Sequence, residues 1–151
     1  MDGRRWTLES ERRFFKTAWA PVFLFPFFFL LACQSEEEVK TQQYFVEGLE
    51  RYQQHCANCH QPDGQGLGSL YPPIAGADFL NDKAAVICAM RYGLNDTLRI
   101  NGKTYHQPMP GNEQLRDLDL AELSTYIHQK WGNQKGRTTV EEVRRALATC
   151  R

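Results

Sequence analysis

Neither sign of charge is in surplus in this 151-residue chain, where 18 Lys and Arg face 18 Asp and Glu. The global field that draws a protein onto nucleic acid or an acidic surface is therefore missing. Internal repeats are missing too. Strand-type alternation is so scarce that the chain could build a small ribbon at most. Apolar residues make up 42% of it, enough at this length for one domain with a modest core and not for two.

Charge is also absent locally. No charged side chain occurs from Thr17 to Ser35, directly after the basic group Arg12, Arg13 and Lys16. A positive segment, an apolar segment and a small residue before a cut describe an export signal. The run closes on Leu30-Leu31-Ala32-Cys33, which resembles the lipobox of bacterial lipoproteins. That resemblance implies lipidation of Cys33, a signal over residues 1–32 and a protein anchored to a bacterial membrane, facing the periplasm. An uncleaved membrane helix is the alternative. The apolar run Ala18 to Ala32 falls short of the roughly 18–20 residues of a span, and Pro21 and Pro26 interrupt it. Residues 33–43 include Glu36-Glu37-Glu38 and have no apolar period, so they read as a solvated tether.

Cys56-Ala57-Asn58-Cys59-His60 has the spacing of a c-type haem attachment site. Cysteines three apart lie on one side of a helical turn, where both sulfurs can reach the two vinyl groups of one haem. The histidine that follows then points at the iron as its proximal ligand. Two other chemistries use the same cysteine pair. A zinc site needs a second pair or a spaced histidine pair, and neither is found. A redox dithiol comes with a βαβ pattern that the flanks lack.

A second iron ligand has to come from further along. Met109 lies between Pro108 and Pro110, 49 residues after His60, in a loop that the prolines stiffen. His106 is the rival donor, three residues away. His55 adjoins the attachment turn on the wrong face, and His128 falls on a later helix in a partly exposed position.

The remaining segments read as short helices joined by loops. Gln43 to His55 places Phe45, Gly48, Leu49 and Tyr52 on one face. Gly48 there costs about 1 kcal/mol relative to Ala, which makes sense if another helix crosses closely. Asp117 to Trp131 supplies the matching stripe of Leu120, Leu123, Tyr126, Ile127 and Trp131, and Gly132-Asn133 ends it. A third helix runs from Asn81 to Tyr92, capped by Asn81 or Asp82 and stopped at Gly93. Leu98 to Tyr105 turns at Asn101-Gly102. Thr139 to Thr149 opens with a capping box, Thr139 to Glu142. Cys88 and Cys150 are left over in an oxidising compartment and either form a disulfide or stay as two thiols. A bond across that interval would constrain the unfolded chain by about 4 kcal/mol.

Residues 44–133 resemble the class I (mitochondrial-type) cytochromes c, in particular small single-haem bacterial lipoproteins. Gly48 and Tyr52 stand eight and four residues before Cys56, and Pro62-Asp63-Gly64-Gln65-Gly66 is similar to the family's glycine turn. Tyr71-Pro72-Pro73-Ile74-Ala75-Gly76 resembles the loop whose carbonyl holds the proximal imidazole, which implies Pro73 as acceptor. Asn101 to Tyr105, Pro108-Met109-Pro110 and Leu120 to Tyr126 resemble the approach to the Met ligand, the Met loop and the carboxy-terminal helix. The resemblance implies an all-α class I cytochrome c fold, short helices packed around one covalent haem c. Residues 134–151 form an extension beyond it.

Function follows as an expectation. With His60 and Met109 on iron, the protein carries single electrons between redox proteins such as a respiratory oxidase, reductase or dehydrogenase. It breaks no bonds, and it acts as a monomer without nucleic acid. Leu98, Ile100 and Tyr105 are expected to wall the haem from water, and soft sulfur to favour the ferrous state. The competing classes are catalysis or gas sensing at an open iron, and a structural lipoprotein with an incidental cysteine pair.

Overall fold

A computed structural model describes residues 35–150. The expected export signal and Cys33 lie outside the described residues. The first helix begins sooner than the sequence suggests: α1 spans Glu36–His55 and takes in most of the expected tether. Ser35 caps it by accepting from the Glu38 amide, and Glu36, Glu37 and Glu38 sit at the positive end of its dipole. Most of these first turns are exposed, so the absence of an apolar period does not forbid a helix there. Tertiary partners hold them. Arg137 grips the Glu37 carboxylate at 2.8 and 3.1 Å and lies 5.2 Å from the Tyr44 ring.

Short elements follow in order. They are α2 (Ala57–His60), a 3₁₀ turn (Asp78–Asn81), α3 (Lys83–Tyr92), β1 (Gly93–Leu94), β2 (Leu98–Ile100), β3 (Lys103–Tyr105), β4 (Met109–Pro110), α4 (Asp117–Trp131) and α5 (Val140–Leu147). Asp82 is the cap of α3, accepting from the Ala85 amide, so the helix starts two residues after Asn81. The expected ribbon is β2 paired antiparallel with β3, and Asn101 and Gly102 both have positive φ, as a tight hairpin turn needs. A second ribbon, β1 with β4, has no counterpart in the sequence reading. Among the described residues, five helices and two such small ribbons make the all-α, short-helix arrangement that the resemblance implies.

The core is organised by the crossing of α1 over α4. A Cβ on Gly48 would run into the Glu122 carbonyl and come within 2.7 Å of the Tyr126 Cβ. Only glycine allows this approach, which outweighs its poor helix propensity. Phe45, Tyr52, Tyr126 and Trp131 then stack edge and tilt, with ring centroids 5.1–5.4 Å apart. At the rim of the crossing Arg51 pairs with Glu122 at 2.6 Å and Asp119 at 2.9 Å, so both buried carboxylates are compensated.

The carboxy-terminal extension packs on α3 and α4 and buries Val143 and Ala146. Its capping box forms as the sequence suggests: Glu142 N donates to the Thr139 hydroxyl at 3.1 Å, and Thr139 N to the Glu142 carboxylate at 2.6 Å. Cys88 and Cys150 meet with Cα atoms 5.6 Å apart, a separation suited to a disulfide. The same packing corrects the reading of His128, which is 2% exposed and not partly exposed. Its Nδ1 donates to the Ser124 carbonyl at 2.8 Å, while the Ser124 hydroxyl meets Thr138 at 3.0 Å. The extension covers the outer face of α4, which a reading of α4 alone cannot see.

Two outcomes follow from this packing. Gly48→Ala should lower the free energy of unfolding by roughly 1–3 kcal/mol, the usual range for overpacking, although Ala is the better helix former. Guanidinium unfolding followed by far-ultraviolet circular dichroism reads it. Burial, with Lys83 nearby, holds the His128 imidazole below its ordinary 6.5 against the opposing pull of its Ser124 bond. The unfolded chain therefore takes up this proton first, so His128's contribution is full above pH 6.5 and declines as pH falls below it. The same unfolding measured from about pH 7.5 to about pH 5 should show a shallower decline in His128→Asn than in the parent.

Candidate functional site

Cys56 is the hinge between α1 and α2. Its amide still bonds back to Tyr52 at 2.9 Å, and its carbonyl accepts from Cys59 and His60 at 3.2 and 2.9 Å. One turn of helix thus carries both cysteines and the histidine. Gln61 ends it at φ 63°, an uncommon conformation for a residue with a side chain. The Tyr52 hydroxyl donates to the Gln61 carbonyl at 2.6 Å and fixes that bend from inside the core. The family position of Tyr52 thereby gains a physical cause.

The following loop folds back over His60. Gly66 N bonds the His60 carbonyl at 2.9 Å, and the Gly64 carbonyl accepts from Ile74 and Ala75 at 2.7 and 2.9 Å. Gly66 has positive φ, and a Cβ there would lie 2.5 Å from the Pro72 carbonyl oxygen. That close approach brings the Pro72 carbonyl to His60 Nδ1 at 3.0 Å. The acceptor is therefore Pro72 and not Pro73. The tight packing of Gly66 on the Pro72 carbonyl selects it as the partner of the imidazole ring. Pro73 lines the cavity beside it.

A carbonyl only accepts, so Nδ1 carries the ring proton and Nε2 keeps its lone pair. Burial lowers the His60 pKa, opposed by the Pro72 bond, and favours the neutral ring. Two adjoining, largely apolar cavities meet at Cys56, His60, Pro72, Leu94, Leu98 and Met109. Val86, Met90, Ile100 and Ile127 line the inner one. The outer one adds Cys59, Tyr71, Tyr105, Gln107 and the two prolines beside Met109. Burial pushes the Cys56 thiol up to about 12, with Cys59 adding to the effect, so it is held as a thiol.

Met109 reaches the cavities because β4 pairs with β1, with Leu94 opposite Met109. The ribbon depends on Gly93 and Gly111. A Cβ on Gly111 would meet the Arg91 carbonyl oxygen and the Gly93 nitrogen, both at 2.7 Å. Those two glycines were the available signal for the ribbon, masked by the prolines on either side of Met109. The other histidines are placed differently. His106 is exposed with Nδ1 3.1 Å from the Thr97 hydroxyl and lines neither cavity. His55 is exposed at the outer mouth, and His128 is buried under the extension. Tyr105, Leu98 and Ile100 form the expected wall.

These residues fit a flat apolar macrocycle with a metal at its centre. Two thiols stand at one edge, a lone-pair imidazole and a thioether line the same space, and the inner walls are almost all hydrocarbon. Comparison with known proteins agrees. A sequence model of the cytochrome c family matches residues 45–131. Cytochrome c-552 of Thermus thermophilus is 33% identical over 113 residues, covering 68% of this chain and 86% of that protein. The cytochrome c subunit of the quinone alcohol dehydrogenase of Gluconobacter oxydans is 28% identical over 108 residues. That match covers 68% of this chain and 22% of the subunit. The chain belongs to the class I c-type cytochromes of the cytochrome c family, whose cofactor is covalently bound haem c.

Proposed function

We propose that this cytochrome is a lipid-anchored electron carrier of the bacterial periplasm with His60 and Met109 as axial ligands. The observation that carries the reading is that these two side chains line the same two cavities from opposite elements, α2 and β4. Haem c supplies a one-electron Fe(III)/Fe(II) couple when bound. Cys56 and Cys59 fasten it by thioether bonds. The Pro72 carbonyl fixes the tautomer and plane of His60, so its Nε2 needs little reorganisation as charge changes. Pro108, Pro110 and the β1–β4 ribbon hold the Met109 thioether. Leu98, Ile100 and Tyr105 exclude water, and the combination favours the reduced state. A haem held by both His60 and Met109 would have no open position for a substrate.

In this reading Cys88 and Cys150 are oxidised to a disulfide after export, and Cys33 bears the lipid. The partners are redox proteins. The likeness to cytochrome subunits of quinone alcohol dehydrogenases supports a dehydrogenase as one donor.

Met109→Ala should abolish the weak near-infrared sulfur-to-iron charge-transfer band of the ferric protein and lower the potential by on the order of 100 mV. His106→Ala should leave both unchanged; the reverse pattern refutes the ligand pair. Mass spectrometry of the exported protein should find one haem on the peptide holding Cys56 and Cys59. Cys33→Ser should release the haem-bearing chain from membranes into the soluble fraction.

A further inference from the structure

Asn101 does more than turn the β2–β3 hairpin. Its side chain and that of Asp78 exchange bonds across 23 residues of chain. Asp78 N donates to Asn101 Oδ1 at 3.0 Å, and Asn101 N donates to Asp78 Oδ1 at 3.1 Å. Asn101 Nδ2 also donates to the Gly76 carbonyl at 3.1 Å. Each side chain thus takes up the main-chain donor of the other, and three bonds clasp the tip of the hairpin to the 3₁₀ turn. Asn101 has φ 48°, a conformation that asparagine tolerates better than most residues. A tight turn asks only for that φ. It does not ask for a side-chain amide engaged at both ends.

The two segments joined in this way are facing walls of the inner cavity. Ala77, Phe79 and Leu80 line it from the side of the 3₁₀ turn, and Leu98 and Ile100 line it from β2. Asp78 and Asn101 themselves are exposed and line neither cavity, so they stand behind the wall. A ribbon of two short strands has little stability of its own in water. Its apolar contacts are non-directional, whereas the clasp bonds fix how closely it approaches the turn. On the other flank Lys103 Nζ donates to the Gly68 carbonyl at 2.8 Å, so the hairpin keeps a second attachment when the clasp is cut.

We propose that Asp78 and Asn101 are positioning residues for electron transfer, whose clasp closes the two walls of the inner cavity on each other, keeps water from the haem and so holds its potential up. The inference deepens the reading of Leu98 and Ile100 as a water-excluding wall, and it rests on that reading. Water near the haem stabilises the more highly charged ferric form, so a gap between the walls lowers the potential. Loss of the Asp78 carboxylate acts in the opposite sense, because a negative charge also favours ferric iron. Direction therefore separates the two effects.

The test uses the full-length, haem-bearing protein in detergent, with potentials read by optical redox titration. Asp78→Ala and Asn101→Gly both break the clasp, and glycine keeps the positive φ of the turn. Each should raise the Fe(III)/Fe(II) ratio at a fixed poise about threefold, a fall of about 28 mV for one electron. Asp78→Asn keeps an acceptor oxygen and should hold the potential at the parent value or slightly above it. Amide exchange read by NMR should quicken at Asn101 in Asp78→Ala and at Asp78 in Asn101→Gly, with the axial-ligand spectrum unchanged. Equal rises in both Asp78 variants, with no effect of Asn101→Gly, overturn the proposal, since charge alone is then at work. A changed axial-ligand spectrum in either clasp variant also overturns it, because the clasp then acts on ligation and not on water. Ile100→Ala, which opens the wall directly, makes the two failures distinguishable. If it leaves the potential unmoved, the water-exclusion reading fails and the proposal with it. If it lowers the potential while Asn101→Gly does not, the proposal alone fails.

Discussion

The contact of Gly48 with the Glu122–Tyr126 turn fixes where α1 and α4 lie, and the haem site is built outward from that crossing. α1 ends at Cys56 because the crossing has already placed Tyr52 beneath Gln61, whose carbonyl it holds. α4 presents Ile127 to the inner cavity and Trp131 to Gly64, where a Cβ would stand 2.7 Å from the indole. The attachment turn and the loop that folds over it are therefore seated on the two sides of one helix pair. A side chain at position 48 would push the pair apart and disturb both at once.

Within that frame the electrostatics divide cleanly. The inner cavity's walls are almost all hydrocarbon, Asp96 lines only the outer one, and His60 and Gln61 are held through backbone carbonyls. His60 is turned by Pro72, Gln61 by Tyr52, and the Met109 strand by Gly93 and Leu94. Full charges are placed at the periphery, in the Arg51–Glu122–Asp119 set and in the Arg137–Glu37 pair that ties the extension to α1. Buried charges close to the iron would make its potential follow their protonation. Keeping them at the margin leaves axial ligation and exclusion of water as the main determinants.

The carboxy-terminal extension adds a second layer to the family domain. It buries the outer face of α4, encloses His128, and reaches Cys88 on α3, the helix whose Val86, Ala89 and Met90 line the inner cavity. Holding α3 from behind stiffens a cavity wall without placing any group of the extension inside.

Local covalent and hydrogen-bonding rules are what the sequence by itself determined. Cys56, Cys59 and His60 fall on one helical turn wherever that turn goes, the Thr139–Glu142 box caps α5, and Asn101-Gly102 closes a hairpin. Each depends on neighbours within a few residues, so a linear reading reaches it. Only the tertiary structure decided that Pro72 and not Pro73 meets His60, that α1 starts at Glu36, that His128 is buried, and that Met109 is carried on a ribbon with Leu94. Those outcomes depend on which backbone can approach which across tens of residues, and on a partner such as Arg137, 100 residues from Glu37. Close approach and remote pairing leave no periodic trace in the chain, because a glycine that permits contact looks the same as one that merely ends a helix.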